Sequence, residues 1–463
     1  MSYETAVANM FALGHELAQT PTHKFDLAHM RVLLAAMEHS ERTFPSVLIA
    51  GTNGKGSTAA TLASILRASG LKTALYTSPH LIRINERIRI DDESISDDDF
   101  AELHGEVDLV AERLVARGEL PWHPSFFEMM TAIAFAYFAR ERVEIAVLEV
   151  GMGGRLDATN VVEPLVSVIT DISLDHQKFL GNTVGEIARE KAGIIRPGGV
   201  VVTLPQQPAA NDVIGNAILD LDARGVNAVQ YVPPTTPASA QYLVPSTQKK
   251  PFTAENAERD GTQLHYQYPL QVMGKQILVD TPLVGRHQLR NIALAIGAAE
   301  ELNKQGLAGI RPESIERGIR ETHWPGRFQV LPAHDGWPEV VLDVAHNPAG
   351  AWALRSALSE RYGGRRLIFV FGAMRDKAIS EMTEILFPLA ERVIATRPGN
   401  PRAAAPEEIQ QAASRTATDI DPVADVHSAL DRGRQFATAD EVIVITGSIY
   451  LVGETMSILG VKI

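Results

Sequence analysis

Short apolar runs alternate with helical patterns through most of the 463-residue chain, and this rhythm is the strongest constraint on its fold. Helical patterns at Thr58–Ala68 and Phe127–Ala139 lie between runs that are bounded by Gly, Pro or polar residues. Such runs are typical of strands buried on both faces. They are Ser46–Ala50, Ala146–Val150, Val166–Thr170 and Val200–Leu204. The alternation predicts a largely parallel sheet covered by helices.

A second alternating series follows the Pro- and Gly-containing segment Thr322–Pro325. Its predicted strands are Val340–Val344, Leu367–Phe371, Arg392–Ala395 and Val442–Thr446. We therefore predict an α/β fold of two domains with a boundary at that segment. Residues 1–322 form a P-loop-type, mostly parallel sheet with helices on both faces. Residues 323–463 form a smaller, Rossmann-like α/β domain.

The segment from Pro205 to Gly274 breaks the rhythm, since it is rich in proline and polar residues and has only short β-like pieces. We predict an irregular, partly antiparallel excursion here, with a mobile loop. The β-like pieces are Leu264–Tyr268 and Gln276–Val279, and a helix from His287 to Asn303 is predicted to follow.

Composition excludes several classes of site and partner. The chain has no cysteine, so disulfides, thiolate zinc sites and cysteine nucleophiles are excluded, and a metal must bind oxygen or histidine nitrogen. The net charge of -13 disfavours nucleic-acid binding and requires local groups to attract an anionic substrate. No apolar run is long enough to span a membrane, and the N-terminus lacks the pattern of a signal peptide. We expect a cytoplasmic protein without nucleic-acid or membrane partners.

The glycine-rich run Gly51-Thr52-Asn53-Gly54-Lys55-Gly56-Ser57 lies between a predicted strand and a predicted helix. Glycines allow backbone N–H groups to turn around phosphate oxygens, and the start of the helix adds partial positive charge. Lys55 is placed to reach terminal phosphates, and the Ser57 hydroxyl is placed to bind magnesium. The run is shorter than the common phosphate loop, and Gly56 separates its lysine from its serine. The alternative is a tight strand–helix turn in a doubly wound domain.

The run and its surroundings resemble the Mur-ligase superfamily and, within it, the folylpolyglutamate synthase/dihydrofolate synthase family. The matching segments occur in the family's order from about residue 20 to residue 450. They are Lys24-Phe25-Asp26-Leu27, Tyr76–Leu81, Asn85–Ile88, Ser125–Glu128, Glu149–Asn160, Leu174–His176, Glu190–Ile194, His287-Gln288 with Asn291, Pro325–Arg327, Asp343–Pro348, Asp376-Lys377 and Thr446–Ser448.

The resemblance implies ATP-driven amide formation. ATP phosphorylates a carboxylate, and the amino group of L-glutamate then attacks the acyl phosphate. Catalysis of this kind is mainly positioning and charge neutralisation. The first domain would carry ATP and the pterin site, and the second would carry the glutamate and ATP side. ATP and Mg²⁺ are the implied cofactors, and two magnesium ions and a monovalent cation are compatible with the resemblance. The implied partners are small molecules, namely dihydropteroate or folate, L-glutamate and ATP, and the family is usually monomeric.

By the same resemblance, Ser57, Ser78, Glu149 and His176 are metal ligands. Glu149 ends a predicted strand, where open α/β sheets bind ligands, and its alternative is a surface ion pair. For His176 the alternative is a loop histidine with an ordinary partner. The implied ATP contacts are Gly54, Lys55, Gly56, Ser57, Asn291, Arg327 and Asp343.

Lys191 lies on the apolar face of a predicted helix, together with Val184, Ile187 and Ala188. A buried lysine is costly unless it is paired or neutralised. The resemblance implies that this lysine is carbamylated, which converts a cation into an anion. The alternative, which the pattern alone favours, is a lysine whose amine reaches solvent.

Lys191, Arg327 and His346 are the implied catalytic residues. Arg327 would neutralise phosphate charge, and His346 would help to place the incoming glutamate; its alternative is a histidine at a helix entry. For the flat pterin group, Phe126 or Phe127 would stack on it and Asp157 would accept hydrogen bonds from it. The alternative for both phenylalanines is the hydrophobic core.

Three other functions remain open at this point. One is a monofunctional folylpolyglutamate synthase, and another is a Mur-type ligase for a UDP-linked muramyl precursor. The Ser125–Glu128 and Lys24–Asp26 segments argue against the muramyl substrate. A nucleotide-dependent switch or transport ATPase needs only the phosphate loop, and it leaves Glu149, Arg327 and His346 without a role.

Overall fold

The computed structural model describes residues 1–14, 27–233, 265–334, 337–416, 418–438, 440–461 and 463. The predicted motif residues Lys24, Phe25 and Asp26 lie outside these ranges, as do residues 234–264 of the segment predicted as an excursion. The chain divides into two compact units. The first comprises Met1–Val232, Leu270–Ile277 and Arg290–Glu321, and the second comprises Pro233–Pro269, Leu278–Leu289 and Thr322–Ile463.

An eight-stranded sheet forms the centre of the first unit, with the strand order β4-β3-β2-β5-β1-β6-β7-β8. The strands are β1 (Ser46–Ala50), β2 (Thr73–Tyr76), β3 (Ile88–Ile90), β4 (Glu93–Ser94), β5 (Ile145–Glu149), β6 (Val166–Ile169), β7 (Val200–Thr203) and β8 (Arg224–Asn227). The neighbouring strands in the spatial series β2-β5-β1-β6-β7-β8 are all parallel. Strand β3 pairs antiparallel with both β2 and β4. The central strand β1 is buried at every position, as its continuous apolar run predicts.

The helices associated with this sheet alternate with its strands along the chain. They are α1 (Tyr3–Ala12), α2 (Leu27–Ala36), α3 (Lys55–Ala68), α4 (Asp97–Ala116), α5 (Phe126–Arg140), α6 (Gln177–Leu180), α7 (Val184–Ala192), α8 (Pro208–Asp220), α9 (Arg286–Lys304) and α10 (Pro312–Arg320). Local sequence explains where two of them start. Ser125 with Glu128 forms a capping box for α5, and Thr183 with Glu186 forms one for α7.

Helix α10 packs closely on α3, the helix that follows the glycine-rich run. A Cβ atom on Gly318 would lie 2.4 Å from the Cα of Ile65, so the two backbones meet at this glycine. The Ser64 hydroxyl donates a hydrogen bond to the Gly318 carbonyl at 2.7 Å, and the hydroxyls of Ser69 and Ser314 are 2.8 Å apart.

A six-stranded sheet forms the second unit, with the order β11-β12-β16-β13-β14-β15, and only the β11–β12 pair is antiparallel. Two further strands, β9 (Tyr266–Val272) and β10 (Lys275–Thr281), pair in a separate sheet. The remaining elements are β11 (Gln329–Leu331), β12 (Glu339–Leu342), α11 (Pro348–Tyr362), β13 (Leu367–Phe371), α12 (Ile379–Leu386), β14 (Ala390–Thr396), α13 (Pro406–Ala412), β15 (Ile420–Val423), α14 (Val426–Phe436), β16 (Val442–Thr446) and α15 (Ile449–Ile458).

The predicted fold class is confirmed: both units are α/β with mostly parallel sheets. One prediction needs correction. The irregular excursion was expected to begin at Pro205, but the alternation continues through α8 and β8 as far as Asn227. The sequence signal was weak because β8 is an edge strand, largely exposed, with the sequence Arg-Gly-Val-Asn. Among the described residues, no helix has the length and apolar character to cross a membrane.

Candidate active site

The glycine-rich loop lies in the first unit, where β1 ends and α3 begins. Two of its glycines have no room for a side chain. A Cβ on Gly51 would lie 1.7 Å from the Thr170 hydroxyl oxygen, and a Cβ on Gly54 would lie 2.1 Å from the Asn291 side-chain oxygen. Gly54 also has φ of 89°, in the left-handed region that favours glycine. Asn291, a predicted ATP contact, therefore lies directly against the loop.

The first residues of the loop are bound to the segment that follows β6. The N–H groups of Thr52 and Asn53 both donate to the Asp171 carbonyl, at 2.9 and 3.2 Å. The Thr52 hydroxyl donates to the Ser173 carbonyl at 3.0 Å, and the Asn53 amide donates to the Ser173 hydroxyl at 3.2 Å. The amides of Thr52 and Asn53 are therefore not directed at a ligand.

The start of α3 supplies the donors that remain. The N-cap residue of this helix is Gly54, which has no side chain to accept from the first turn. The N–H groups of Lys55, Gly56 and Ser57 occupy the first turn, where an α-helix offers no intrahelical acceptor. A helix start of this kind binds anions. The shortened loop thus leads directly into the first turn of a helix, the feature that such anion sites use.

Lys55, Glu149 and Ser78 come together beside this helix start. The Lys55 amine lies 4.0 Å from one carboxylate oxygen of Glu149, which is the last residue of β5 and is 5% exposed. The other oxygen accepts a hydrogen bond from the Ser78 N–H at 3.2 Å. The parallel strands β1, β2 and β5 are neighbours, so their carboxyl ends bring these three residues to one edge of the sheet.

Lys191 lies in the last turn of α7 and is 3% exposed. Its amine donates to the Gly51 carbonyl at 2.8 Å. Burial, followed by the positive charge of Lys55, lowers the pKa of the Lys191 ammonium to about 7, while Asp175 and Asp157 oppose this shift. The alternative of an amine in solvent is excluded for this lysine.

His176 precedes the short helix α6 and has a left-handed backbone, with φ of 50°. Its Nε2 atom lies 3.9 Å from an Asp175 carboxylate oxygen. The Asp175 carboxylate also accepts the His176 backbone N–H at 2.8 Å.

The predicted pterin residues differ in their surroundings. Phe126 is buried and stacks on Phe11, with ring centroids 5.8 Å apart. The Phe127 ring covers Gly151, where a Cβ would lie 2.5 Å from it. The buried Asp157 carboxylate accepts hydrogen bonds from the Met152 and Thr159 N–H groups, at 2.9 and 3.0 Å, and from the Thr159 hydroxyl at 2.6 Å. These contacts fix the local turn, and burial raises the pKa of Asp157.

The second unit holds Arg327, Asp343 and His346. Each Asp343 carboxylate oxygen accepts one backbone N–H, from Phe328 or Ala345, at 2.9 Å. Burial raises the pKa of Asp343, whereas Arg327 and these hydrogen bonds oppose the shift. The His346 Nδ1 atom lies 2.9 Å from the Val344 carbonyl. A carbonyl only accepts, so Nδ1 carries the proton, and neutral His346 has Nε2 as its acceptor.

Two domains of the Mur ligases match this chain. Residues 125–299 match the Mur ligase middle domain, and residues 326–449 match the Mur ligase glutamate ligase domain. The dihydrofolate synthase/folylpolyglutamate synthase of Bacillus subtilis is 35% identical over 92% of this chain and 93% of its own. The chain belongs to the folylpolyglutamate synthase/dihydrofolate synthase family of Mur ligases.

Two solved structures of this family resemble the chain over its length. Mycobacterium tuberculosis folylpolyglutamate synthase complexed with ADP and AMPPCP has a TM-score of 0.83 and 30% identity, with 99% of each chain covered. Escherichia coli FolC in complex with DHPP and ADP has a TM-score of 0.78 and 26% identity, with 99% of this chain and 98% of that chain covered. The chain is an ATP-dependent ligase that forms C–N bonds.

The donors near the loop suit the magnesium ion that this ligase family implies. Glu149 offers a buried carboxylate, and Ser57 and Ser78 offer hydroxyls, which are the hard oxygen ligands that magnesium takes. In the described residues, no group of three or more His, Asp and Glu side chains is arranged to hold a metal.

Sequence reasoning missed the residues that anchor the ligase's phosphate loop, namely Asp171, Ser173 and Arg290. The Arg290 guanidinium binds the Asp171 carboxylate through two nitrogens, with distances of 2.6 and 3.0 Å. The available signal was the position of Asp171, an acidic residue directly after the strand Val166–Thr170. No sequence spacing indicated its partner.

Proposed function

We propose that the chain joins L-glutamate both to dihydropteroate and to folates, using ATP to activate the accepting carboxylate. The γ-phosphoryl group passes to a carboxylate oxygen and ADP leaves. The glutamate nitrogen then bonds to the acyl carbon, phosphate leaves, and the nitrogen releases a proton. The observation that carries this proposal is the cluster of Lys55, Glu149 and the α3 start, with Asn291 against Gly54.

In this mechanism the first turn of α3 and Lys55 bind the terminal phosphates, because they place N–H groups and a cation at one point. Glu149, Ser57 and Ser78, with His176 as a further ligand, would hold a Mg²⁺ ion, and the ion would supply charge neutralisation at the phosphates. Glu149 then has a second task, since its carboxylate also orients the Lys55 amine. Asn291, Arg327 and Asp343 bind ATP, with Arg327 placing its positive charge on phosphate.

His346 serves the glutamate side of the reaction in this proposal. Because the Val344 carbonyl accepts the Nδ1 proton, Nε2 is the ring atom of neutral His346 that would accept a hydrogen bond from the incoming amine. An acceptor is what an attacking amino group requires, since it must lose a proton as the amide forms. The second unit accordingly carries the glutamate site.

Phe127 is the better of the two phenylalanines for stacking on a pterin, since its ring is only partly buried and lies over Gly151. Phe126 is occupied by Phe11 and by the Arg87 guanidinium, which lies 5.2 Å from its ring centroid. The relative FolC is in complex with DHPP, which supports a site for this substrate in the present chain. Asp157 would bind the pterin only through carboxylate lone pairs that do not accept hydrogen bonds from Met152 and Thr159.

We propose that Lys191 is carbamylated. A pKa of about 7 leaves much of the amine neutral at physiological pH, and only a neutral amine reacts with CO₂. The nitrogen bonds to the carbon of CO₂ and releases a proton, so that a buried cation becomes an anion. The product would place a carboxylate beside Lys55, whose charge now lowers the lysine pKa.

The function is tested by ADP release with ATP, magnesium and L-glutamate, and with dihydropteroate, tetrahydrofolate or a UDP-muramyl peptide as acceptor. Turnover with both pterins supports the bifunctional enzyme. Turnover with tetrahydrofolate alone selects a folylpolyglutamate synthase, and no turnover with either pterin rejects the proposal. ADP release without glutamate and pterin would instead identify a nucleotide switch or transport ATPase.

The carbamate is tested with Lys191→Ala. We expect turnover to fall by at least about 100-fold, and bicarbonate not to restore it, because alanine has no amine to modify. The wild-type protein in ¹³C-bicarbonate should give a carbamate resonance that the variant lacks. Near-normal activity of the variant would remove Lys191 from the mechanism.

We further propose that the enzyme acts as a monomer in the cytoplasm, binding small molecules only. Light scattering of the purified protein should then give the mass of one chain, 50.3 kDa, with and without substrates. A mass of two chains or more contradicts this part of the proposal.

A further inference from the structure

We infer that the ion pair between Arg290 and Asp171 positions the phosphate loop, and that Arg290 is a positioning residue for the nucleotide. The inference rests on the proposed function, because it assumes that this loop binds ATP. Both residues belong to the first unit. Arg290 is the first residue of α9 that this unit contains, and Asp171 is the second residue after β6.

The Asp171 side of the pair controls the loop through the backbone. Its carbonyl accepts the N–H groups of both Thr52 and Asn53, and Asn53 forms an isolated bridge with Asp171. Ser173 adds a second point of attachment, because its N–H donates to the Thr52 hydroxyl at 3.1 Å. The position of residues 171–173 therefore determines where the loop leaves β1 and where α3 begins.

The Arg290 side of the pair controls the loop through its neighbour in the helix. Arg290 donates to the Asp171 carboxylate from Nε and from a terminal nitrogen, and it also donates to the Pro205 carbonyl at 3.1 Å. This two-point geometry fixes orientation as well as distance. The next residue, Asn291, lies where a Cβ on Gly54 would be. The ion pair thus connects two contacts with the loop Gly51–Gly54, one through the Asp171 carbonyl and the other through the Asn291 side chain.

The expected effect is on geometry rather than on stability. The side chains of Arg290 and Asp171 are 31% and 36% exposed, and ion pairs at such exposure contribute little to folding. Positioning differs, because a phosphate site depends on small displacements of its donors. The chain offers a matched control in the same unit, the pair Arg140–Asp99, with exposures of 34% and 36%.

The test compares Arg290→Gln, Asp171→Asn and the double variant with Arg140→Gln, measuring the ADP dissociation constant by calorimetry with magnesium. We expect Arg290→Gln and Asp171→Asn each to weaken ADP binding about fivefold or more. The double variant should bind ADP no more weakly than the single variant that has the larger dissociation constant. The thermal midpoints of all variants should match that of Arg140→Gln, whose ADP binding should equal wild type.

Asparagine at position 171 separates positioning from direct contact, since it keeps the backbone carbonyl and removes the charge that Arg290 binds. If Arg290→Gln weakens ADP binding but Asp171→Asn does not, Arg290 contacts the nucleotide itself and the inference is wrong. Unchanged binding in both variants also overturns it. Absence of ADP binding by the wild-type protein would reject the proposed function, and with it this role.

Hydrogen exchange without nucleotide tests the anchoring on its own. The amides of Thr52 and Asn53 should exchange about fivefold faster in Arg290→Gln than in wild type or Arg140→Gln, because their acceptor at Asp171 is less well held. Equal exchange in the three proteins would show that the ion pair does not hold the loop.

Discussion

At the scale of single residues, the site depends on how little space surrounds the loop. Gly54 lies against Asn291, and Gly51 lies against Thr170. Lys191 donates to the carbonyl of Gly51, so the same loop is held from the side of α7 as well. A small change at these positions therefore alters the shape of the loop.

Gly54→Ala should weaken ADP binding by about tenfold or more, because the added Cβ would lie 2.1 Å from the Asn291 side-chain oxygen. Gly70→Ala is the control, since Gly70 has a similar left-handed φ of 86° but nothing within 4 Å of the added atom. Both variants should lose about 1 kcal/mol of stability from backbone strain. If a titration gave the two variants equal ADP affinities, the close contact between residue 54 and Asn291 would not matter for nucleotide binding.

Lys191 should make stability depend on pH. Its pKa is about 7 in the folded chain and near 10.5 when unfolded, so between these values the unfolded chain binds a proton that the folded chain lacks. Stability from this group is therefore lowest below pH 7 and rises as pH increases toward 10.5. Relative to Lys191→Met, the wild-type protein should gain about 2 kcal/mol from pH 7 to pH 9, at up to about 1.4 kcal/mol per unit.

Urea unfolding of both proteins in CO₂-free buffer measures this gain, with the carbamate reaction excluded. A constant difference between the two proteins across this pH range would mean that the folded chain keeps the Lys191 proton.

Some site residues follow from sequence and others do not, for physical reasons. The approach of Lys55 to Glu149 could be expected, because Glu149 ends β5, Lys55 begins the helix after β1, and the carboxyl ends of neighbouring parallel strands meet. Arg290 and Asp171 are 119 residues apart, and their ion pair has no periodicity that a sequence displays. The hydrogen bonds of Asp157 could not be predicted from the sequence either, since they depend on which backbone N–H groups its turn directs at the carboxylate.

At the scale of elements, the close packing of α10 on α3 connects the loop's helix with the end of the first unit. Gly318 permits this approach, and Ser64 and Ser314 contribute the hydrogen bonds across it. A helix interior normally disfavours glycine, so the residue at position 318 is explained by the neighbouring backbone rather than by α10 itself.

Gly318→Ala should destabilise the protein by about 2–3 kcal/mol, because the Cβ would lie 2.4 Å from the Ile65 Cα and backbone must move. Gly105→Ala and Gly215→Ala are controls within α4 and α8, where nothing lies within 4 Å of the added atom. Those two should gain about 0.5–1 kcal/mol from better helix propensity. Thermal unfolding of the three variants checks the opposite signs; a gain at position 318 would contradict the packing.

Strands in the buried centre of a sheet were predicted more readily than strands at its exposed edges. Strands such as Ser46–Ala50, Leu367–Phe371 and Val442–Thr446 are completely buried, and their apolar runs gave their bounds exactly as observed. The edge strands β4, β8, β11 and β15 were not predicted, because an edge strand needs no apolar run. The short buried strands β2 and β3 were missed as well. Pro422 within β15 even argues against a strand unless it lies at an edge, which it does.

At the scale of the whole molecule, a net charge of -13 surrounds a site for anions, so binding must come from local donors. All the described contacts of the phosphate loop lie in the first unit. That unit should therefore respond to nucleotide as one cooperative structure.

ADP with magnesium, at 100 times its dissociation constant, should slow hydrogen exchange of the β1 amides Val47–Ile49 about 100-fold where they exchange through global opening. The central strand reports this best because it is buried on both faces and paired on both sides. Gly54→Ala at the same ADP concentration should show a smaller effect. Unchanged exchange in the wild-type protein would mean that nucleotide does not bind the folded first unit.

The strand order also bears on how the chain is made. The first strand synthesised, β1, has β5 and β6 as its neighbours, and about 100 residues separate it from them along the chain. At about 5–20 residues per second, a ribosome needs several seconds to supply those partners. During that interval both edges of the apolar strand β1 lack their partner strands, and the glycine loop that follows it has no sheet to support it. This early part of the chain is thus exposed to aggregation and to chaperones until β5 and β6 have been synthesised.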